Sequence, residues 1–140
     1  MLYIDTSVLV AYYCPEPLSK KADTAITTHS HPAISALVEL ELFSAVSRKI
    51  REGGIHRQDG NKIIAKFLSH IDSKYYTRLN IDRNHYRLTR DWVGQFTTPL
   101  RSLDAIHLAV ASLEGATIIT SDERLAGSAE SRGVDVILLE

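Results

Sequence analysis

The sequence predicts an α/β protein with a three-layer α/β/α arrangement and a central, mostly parallel sheet of about five strands. Short segments rich in apolar, β-branched and aromatic residues alternate with longer segments whose apolar residues recur at helical spacing. The predicted order, β-α-α-β-α-α-β-α-α-β-α-β, is typical of parallel strands joined by helical crossovers. No repeat or linker interrupts the 140 residues, so we expect one domain over residues 1–140.

The first half of the chain supplies two predicted strands and four predicted helices. An all-apolar run at 2–4 is typical of a strand buried on both faces, and Thr6 or Ser7 can cap the helix that follows. Ser35 ends the second strand and can cap the third helix, which Gly53 and Gly54 stop. The third and fourth helices are both amphipathic, and we expect them to form an exposed helical arm. The predicted elements are a strand at 2–4, helices at 8–13 and 18–29, a strand at 32–35, and helices at 36–52 and 59–72.

The second half supplies three more predicted strands. Aromatic and β-branched residues favour a strand at 75–79, and Asp82 or Asn84 can begin the next helix. Ser102 can cap a following helix with a strongly apolar face, which Gly115 closes. The predicted elements are a strand at 75–79, helices at 84–96 and 103–114, a strand at 116–120, a short helix after 122, and a strand at 134–138.

Bulk composition excludes several classes of protein. The net charge of −1 gives no general attraction to nucleic acid, so any basic surface must be local. The single cysteine, Cys14, excludes an internal disulfide and is typical of a reducing compartment. No apolar run approaches the ~20 residues of a membrane span, and no signal peptide is recognisable at the start. We therefore expect a cytoplasmic protein that does not bind a membrane.

Four acidic residues fall at or near the predicted C-terminal edge of the sheet, where open α/β sheets bind ligands. Asp5 closes the first strand, Asp122 follows the fourth, and Asp104 lies in the first turn of the helix that Ser102 opens. Glu41 lies two turns into the third helix within an otherwise apolar stripe, where an unpaired acid costs free energy. The sequence does not fix which way Glu41 faces, but if the four carboxylates converge they form one site. The alternative is that Asp5 and Asp122 only cap helices and that Asp104 only favours a helix dipole.

Converging carboxylates favour a bound metal ion. Two like charges ~4 Å apart repel by about 4 kcal/mol at an effective dielectric constant near 20, and a hard divalent cation relieves this. Carboxylate oxygens suit Mg²⁺ or Mn²⁺, whereas scattered histidines and one cysteine argue against zinc. Such a metal polarises a phosphoryl oxygen and lowers the pKa of an attacking water. The predicted chemistry is hydrolysis of a phosphodiester by metal-activated water.

Four motifs carry a resemblance to a known family. They are LYIDTSVL at 2–9, SALVELEL at 35–42, LDAIHLA at 103–109 and ITSDERL at 119–125. Together, in this order and spacing, they resemble the acidic motifs of PIN domains, and most of all those of VapC toxin ribonucleases from toxin–antitoxin pairs. The resemblance implies a PIN-like parallel-sheet fold, Mg²⁺- or Mn²⁺-dependent endonucleolytic cleavage of RNA, a homodimer, and a cognate VapB-type antitoxin.

The resemblance also assigns roles to residues. It implies that the four acids bind the metal and form the catalytic set: Asp5, Glu41, Asp104 and Asp122. Thr6 and Ser7 match the hydroxyl positions after the first acid and Thr120 the polar position before the last; we expect Thr120 to orient a carboxylate or a metal-bound water. Glu39 competes with Glu41, but the family's spacing from Ser35 selects Glu41 and leaves Glu39 facing solvent or a partner. The number of metal ions and the identity of the general base stay open.

Local basic residues suggest where RNA binds. Arg83, Arg87 and Arg90 lie on one face of a predicted helix, and Arg101 follows it. We interpret these four as RNA contacts, with a solvated helix face as the alternative. His107 is interpreted as a core or surface histidine outside catalysis.

Two other functions compete with a toxin ribonuclease. One is a catalytically silent PIN-like module that binds RNA within an assembly. The other is a phosphatase or receiver domain, which fits poorly because the chain lacks two adjacent early acids and a late lysine after a strand.

Overall fold

The computed structural model describes residues 1–140 and has one sheet of five strands. The strands are β1 (Leu2–Ile4), β2 (Pro32–Ser35), β3 (Thr77–Leu79), β4 (Thr117–Thr120) and β5 (Val136–Leu138). Their order across the sheet is β3-β2-β1-β4-β5, and every neighbouring pair is parallel. The predicted fold class and the predicted order of elements are therefore confirmed.

Seven helices connect the strands and cover the sheet. They are α1 (Thr6–Tyr13), α2 (Ser19–Thr27), α3 (Ala36–Arg51), α4 (Arg57–Asp72), α5 (Arg83–Val93), α6 (Ser102–Leu113) and α7 (Glu123–Ser131). They form two contact groups, α1 to α4 and α5 to α7, and each group packs against the sheet. No helix in the chain is long and apolar enough to cross a membrane.

Strand β1 lies at the centre of the sheet. Tyr3 pairs with Ala33 of β2 on one side and with Ile118 of β4 on the other, and the Tyr3 and Ile4 side chains are completely buried. An apolar three-residue strand is stable here because both of its faces are covered by helices. Because all the strands are parallel, the C-terminal ends of β1, β2 and β4 open onto the same edge of the sheet.

The predicted helical arm is wrong, because α3 and α4 belong to the core. Helix α3 packs against α1, and its Val38, Leu42 and Val46 side chains are fully buried. Phe67 of α4 is also fully buried and contacts the ring of Tyr13 edge-on, with 5.4 Å between ring centroids. Most apolar residues of both helices are therefore used for folding, while Leu40 and Leu68 remain exposed.

Two predicted helix caps differ from those observed. Asp5 itself, and not Thr6 or Ser7, is the N-cap of α1, because Thr6 and Ser7 already have helical geometry. Ser102 is the first residue of α6; Arg101 precedes it in extended conformation and makes no side-chain capping bond. In contrast, Ser35 caps α3 as predicted and accepts a hydrogen bond of 3.3 Å from the Val38 amide.

Candidate active site

Asp5 is held at the end of β1 by two hydroxyl groups. The carboxylate is only 5% exposed, and its Oδ2 accepts hydrogen bonds from Ser7 Oγ at 2.6 Å and from Thr120 Oγ1 at 2.8 Å. Burial of an ionised carboxylate requires such donors. All hydrogen bonds to the Asp5 side chain, including a long one from the Ser7 amide, reach Oδ2, which leaves Oδ1 free.

The same two hydroxyls tie β1 to the loop after β4. Ser7 Oγ accepts a hydrogen bond of 3.1 Å from the Ser121 amide, while Thr120 Oγ1 accepts one of 3.0 Å from the Asp122 amide. Each hydroxyl thus donates to Asp5 and accepts from the segment that carries Asp122. The two predicted acid-bearing segments are fixed relative to each other by Ser7 and Thr120, which the sequence singled out.

Glu41 points from α3 toward the end of β1. Its Oε1 accepts a hydrogen bond of 2.7 Å from Thr6 Oγ1 and lies 2.5 Å from His107 Nε2 on α6. The Oε2 atom has no hydrogen-bond partner within the chain. Glu39 faces elsewhere and forms a two-pronged ion pair with Arg78 at 2.8 Å. The geometry agrees with choosing Glu41 over Glu39 as the acid of this motif.

His107 belongs to a buried chain of hydrogen bonds. Its Nδ1 lies 2.7 Å from the Tyr3 hydroxyl, which lies 2.8 Å from Ser35 Oγ. Both ring nitrogens of His107 are therefore engaged, one by Tyr3 and one by Glu41. This arrangement fixes the ring and, through it, the direction of the Glu41 carboxylate.

Opposite charges stabilise the pair of Glu41 and His107. Burial acts to raise the pKa of Glu41, but the hydrogen bond and charge of His107, with the hydrogen bond of Thr6, outweigh it and lower that pKa. Burial acts to lower the pKa of His107, yet the hydrogen bond to Glu41 and the surrounding carboxylates raise that pKa above its usual value. Each partner thus favours the charged form of the other.

Asp104 and Asp122 face each other across an open depression beside the first two acids. Its lining includes both aspartates, Ser121 and two arginines, Arg101 and Arg124. Asp122 caps α7: its Oδ1 accepts hydrogen bonds from the backbone amides of the second and third helix residues at 2.8 and 3.2 Å. Its Oδ2 is not used by the cap. The Asp122 carboxylate can therefore cap α7 through Oδ1 and bind a ligand through Oδ2 at the same time.

Asp104 experiences the charge of all the other acids. Burial raises the pKa of its carboxyl, and the negative charges of Asp5, Asp122 and Glu41 raise that pKa further, which outweighs the lowering by the charge of His107. No hydrogen-bond donor of the chain compensates it, since none contacts its side chain. This is the electrostatic signature of carboxylates brought together at one edge of the sheet.

The oxygen atoms of this site suit a hard cation. Asp5 Oδ1, Glu41 Oε2, Asp122 Oδ2 and both Asp104 oxygens make no hydrogen bond within the chain. No group of three or more Asp, Glu, His or Cys side chains is drawn close enough to form a finished metal-ion site. The free donors are carboxylate oxygens and the nearby histidine is fully engaged, so the residues fit Mg²⁺ or Mn²⁺ better than zinc.

The predicted RNA-binding arginines separate into two places. Arg101 lies in the depression with Asp104 and Asp122. Arg83, Arg87 and Arg90 line a different depression on α5, which contains no acid. The structure therefore brings one of the four arginines to the acids.

Two features of the site were missed at the sequence level. His107 is buried, as one of its interpretations held, but it also binds Glu41 directly. Its position three residues after Asp104, one helical turn away, is the signal that pointed to it. Arg124 lies beside Asp104 and Asp122. The only sequence signal for this is its position two residues after Asp122.

Comparison with known proteins decides the family. The family model for the PIN domain matches residues 2–130, nearly the whole chain. The chain belongs to the PIN domain family. The family assignment predicted from the four acidic motifs is confirmed.

Relatives of this PIN domain include ribonuclease toxins. Ribonuclease VapC46 of Mycobacterium tuberculosis is 31% identical over 140 residues, which cover 97% of this chain and 95% of that protein. VapC20 of the same organism, described as a toxin that cleaves the sarcin-ricin loop, superposes with a TM-score of 0.73 at 14% identity, covering 91% of this chain and 95% of VapC20. VapBC2 from Rickettsia felis, bound to a promoter DNA fragment, superposes with a TM-score of 0.70 at 17% identity and full coverage of both chains. At these identities the two structures show a shared fold.

Proposed function

We propose that this PIN domain, residues 1–140, is a Mg²⁺- or Mn²⁺-dependent endoribonuclease and the toxin of a type II toxin–antitoxin system. The relationship to Ribonuclease VapC46 supports a nuclease that acts on RNA. The observation that carries the metal dependence is the set of carboxylates with free oxygens at one sheet edge, among which Asp104 is destabilised by its neighbours. A cation is the natural counter-charge for such a set.

Each residue of the site has a defined task in this proposal. Asp5, Glu41, Asp104 and Asp122 hold the cation through their free oxygens. Ser7 and Thr120 fix the Asp5 carboxylate, and Thr6 and His107 fix that of Glu41. When bound, the cation polarises the phosphoryl group and favours ionisation of water.

The expected products follow from the nucleophile. Attack by water on the phosphorus, with departure of the 3′-oxygen, leaves a 5′-phosphate and a 3′-hydroxyl. The one histidine near the acids, His107, is buried and has both nitrogens engaged, so it is not placed to deprotonate a ribose 2′-hydroxyl. A 5′-phosphate end is therefore the chemical mark of the proposed reaction.

The proposal includes a protein partner. A toxin–antitoxin complex from Klebsiella pneumoniae shares this fold, and the relationship to Ribonuclease VapC46 supports a related role here. We expect a VapB-type antitoxin that blocks the acidic site, a homodimer of the toxin, and action in the cytoplasm on cellular RNA.

The deciding experiment is cleavage of total cellular RNA by protein purified without its antitoxin. We expect discrete fragments with Mg²⁺ or Mn²⁺, none with EDTA, and 5′-phosphate ends on the fragments. Asp5→Asn and Asp104→Asn should fold normally and reduce cleavage by at least about a hundredfold, because each removes a cation-binding charge. Asp135→Asn is the matched control, since Asp135 is exposed and lies in the turn before β5.

Two outcomes would contradict the proposal. Full activity of Asp104→Asn would remove the acids from catalysis. Folded wild-type protein that binds RNA without cutting it, with or without metal, would favour the catalytically silent PIN-like module.

A further inference from the structure

A polar groove adjoins the acidic depression. It has a volume of about 590 Å³ and lies between the segment 95–99, which follows α5, and helix α7. Apart from Pro99 and a glycine, every lining residue is polar, including Gln95, Ser128 and Arg132. Glu123 and Arg124 line both this groove and the acidic depression. The groove and the acidic depression are therefore neighbours, and we refer to the two together as the trough.

Two arginines in the trough carry charge that no acid neutralises. Neither Arg124 nor Arg132 takes part in any ion pair of the chain. The Arg132 guanidinium lies 4.9 Å from the centre of the Trp92 ring, and its Nη1 is 3.4 Å from Gln95 Oε1. Its Nε is buried and has no hydrogen-bond partner. The guanidinium is therefore held in place beside the groove, and its charge, which no acid of the chain pairs, favours an anionic ligand.

The segment that forms one wall of the groove also carries an exposed aromatic residue. Phe96 is 94% exposed and sits between Gln95 and Thr97, which both line the groove. Its φ of 58° lies in the left-handed region, which is unfavourable for a bulky residue. Phe96 closes the turn that ends α5, where left-handed residues are common but are usually glycine or asparagine. Packing does not account for a phenyl ring at this position, because the ring lies almost wholly in solvent.

We propose that this trough binds single-stranded RNA next to the scissile phosphate. Arg124 and Arg132 bind backbone phosphates, and Phe96 stacks against a base. A charged groove combined with an exposed ring is the means by which proteins bind unpaired strands, whose bases are free to stack. The inference rests on the proposed ribonuclease function and extends it to the form of the substrate, an unpaired segment of RNA.

Gly127 provides a direct way to fill the groove. It lines the groove from the middle of α7, and a Cβ atom added there meets no heavy atom within 4 Å. Gly127→Gln therefore places a side chain in the groove and also replaces a poor helix former by a good one. We expect this variant to melt at a higher temperature and yet to bind RNA more weakly, a combination that damage to the fold would not produce.

The test measures binding of a fluorescein-labelled, unstructured RNA of about 12 nucleotides in EDTA, which prevents metal-dependent cleavage. Fluorescence anisotropy at several salt concentrations compares wild type with four variants: Arg124→Gln, Arg132→Gln, Phe96→Ala and Gly127→Gln. Each arginine variant should flatten the plot of log affinity against log salt by about one unit. Phe96→Ala should weaken binding about fivefold or more, and Phe96→Trp should retain it.

Matched controls separate the trough from charge in general. Arg57→Gln removes one exposed arginine from α4, in the other contact group of helices, and should leave both affinity and salt dependence unchanged. A duplex of the same sequence should bind more weakly than the single strand, because its bases are already stacked. Equal losses in Arg57→Gln, or unchanged binding in Phe96→Ala and Gly127→Gln, would overturn the proposal.

Light scattering, which measures self-association, tests whether a second copy of the chain occupies the trough in place of RNA. If Phe96→Ala abolishes self-association and leaves RNA affinity intact, Phe96 is a contact between copies of this chain and the proposal fails. Failure of the ribonuclease function is recognised separately, by the absence of metal-dependent cleavage in wild type. If all four variants cleave RNA in a metal-dependent way with unchanged KM, the proposal about the trough fails and the proposed ribonuclease function stands.

Discussion

Asp104 is a charge that the folded chain tolerates poorly without a cation. Burial and the carboxylates of Asp5, Asp122 and Glu41 raise its pKa, so the folded state binds this proton more tightly than the unfolded state does. The carboxyl therefore costs no stability below its unfolded pKa of about 4, and destabilises the fold increasingly as the pH rises through its folded pKa.

This gives a prediction for Asp104→Asn in EDTA. The variant and wild type should have similar melting temperatures near pH 3, and the variant should melt at a higher temperature at pH 7, because the neutral amide avoids the repulsion. Thermal melts across this pH range measure the difference. Asp135→Asn, at an exposed position just before β5, should differ from wild type in melting temperature by an amount that does not grow with pH. If its difference from wild type grows as much as that of Asp104→Asn, the effect comes from net charge alone.

The Tyr3 hydroxyl supports the pair of His107 and Glu41 from inside the core. It is the only hydrogen-bond partner of His107 Nδ1, and it also forms a hydrogen bond with Ser35 Oγ. Tyr3→Phe leaves the buried imidazole without that partner, so we expect the free energy of unfolding to fall by about 1–3 kcal/mol. Because His107 holds Glu41, kcat should fall by about tenfold while the KM for RNA stays unchanged. Steady-state kinetics and urea melts measure the two effects.

Tyr86→Phe is the control for that substitution. Tyr86 is 56% exposed and its hydroxyl makes no hydrogen bond within the chain. It should change neither stability nor kcat. Loss of stability in Tyr3→Phe with an unaltered kcat would mean that the hydrogen-bond chain serves folding alone.

At the scale of elements, helix α5 is anchored at its first turn. Asp82 Oδ1 accepts a hydrogen bond of 2.9 Å from the Asn84 amide, and His85 Nδ1 accepts one of 3.0 Å from the Asp82 amide. His85 is only 3% exposed, and its Nε2 lies 3.1 Å from Glu114 at the end of α6. The cap therefore also sets how α5 packs on α6.

Removing the cap should loosen this helix. Asp82→Ala is expected to lower the free energy of unfolding by about 1 kcal/mol, measured by urea denaturation. Asp91→Ala, at an exposed position on the same helix, should change it by less than about 0.5 kcal/mol. An equal loss in both variants would show that the capping bonds contribute nothing specific.

The elements of this fold were predictable from local pattern, and their surroundings were not. All twelve elements were predicted in order, because apolar periodicity and turn residues are properties of short segments. The third strand was predicted too long: Tyr75 and Tyr76 have strand propensity, yet they pack into an aromatic cluster in which the hydroxyls of Tyr76 and Tyr13 lie 2.6 Å apart. The prediction that α3 and α4 form an exposed arm was wrong for a related reason, since an amphipathic pattern does not reveal which part of the protein covers the apolar face.

In the candidate site, too, the positions of residues were predictable from local pattern and the contacts between them were not. The positions of the four acids followed from strand ends and helix starts, together with the resemblance to PIN domains. The bond between Glu41 and His107 joins residues 66 positions apart, and no local pattern encodes which helix faces meet. Arg132 was overlooked for the same reason: its neighbours Trp92 and Gln95 come from the other side of the groove.

At the scale of the whole molecule, the weak net charge conceals a strong local contrast. The overall charge is −1, while the carboxylates gather at one sheet edge and Arg101 and Arg124 stand beside them. A phosphate approaching the site therefore meets arginines next to an acidic centre that repels it until a cation is present. Under the proposed function, the arginines would recognise RNA and the neighbouring carboxylates would hold the metal.

The central position of β1 sets the moment during synthesis at which the acidic site can be completed. Asp5 leaves the ribosome early, but the Thr120 hydroxyl that fixes its carboxylate lies 115 positions later. Strand β1 also cannot pair on its second side until β4 has been made. At about 5–20 residues per second, this delays completion of the site by on the order of ten seconds. A chain that is still being translated therefore carries an unfinished acidic site until its last quarter has left the ribosome.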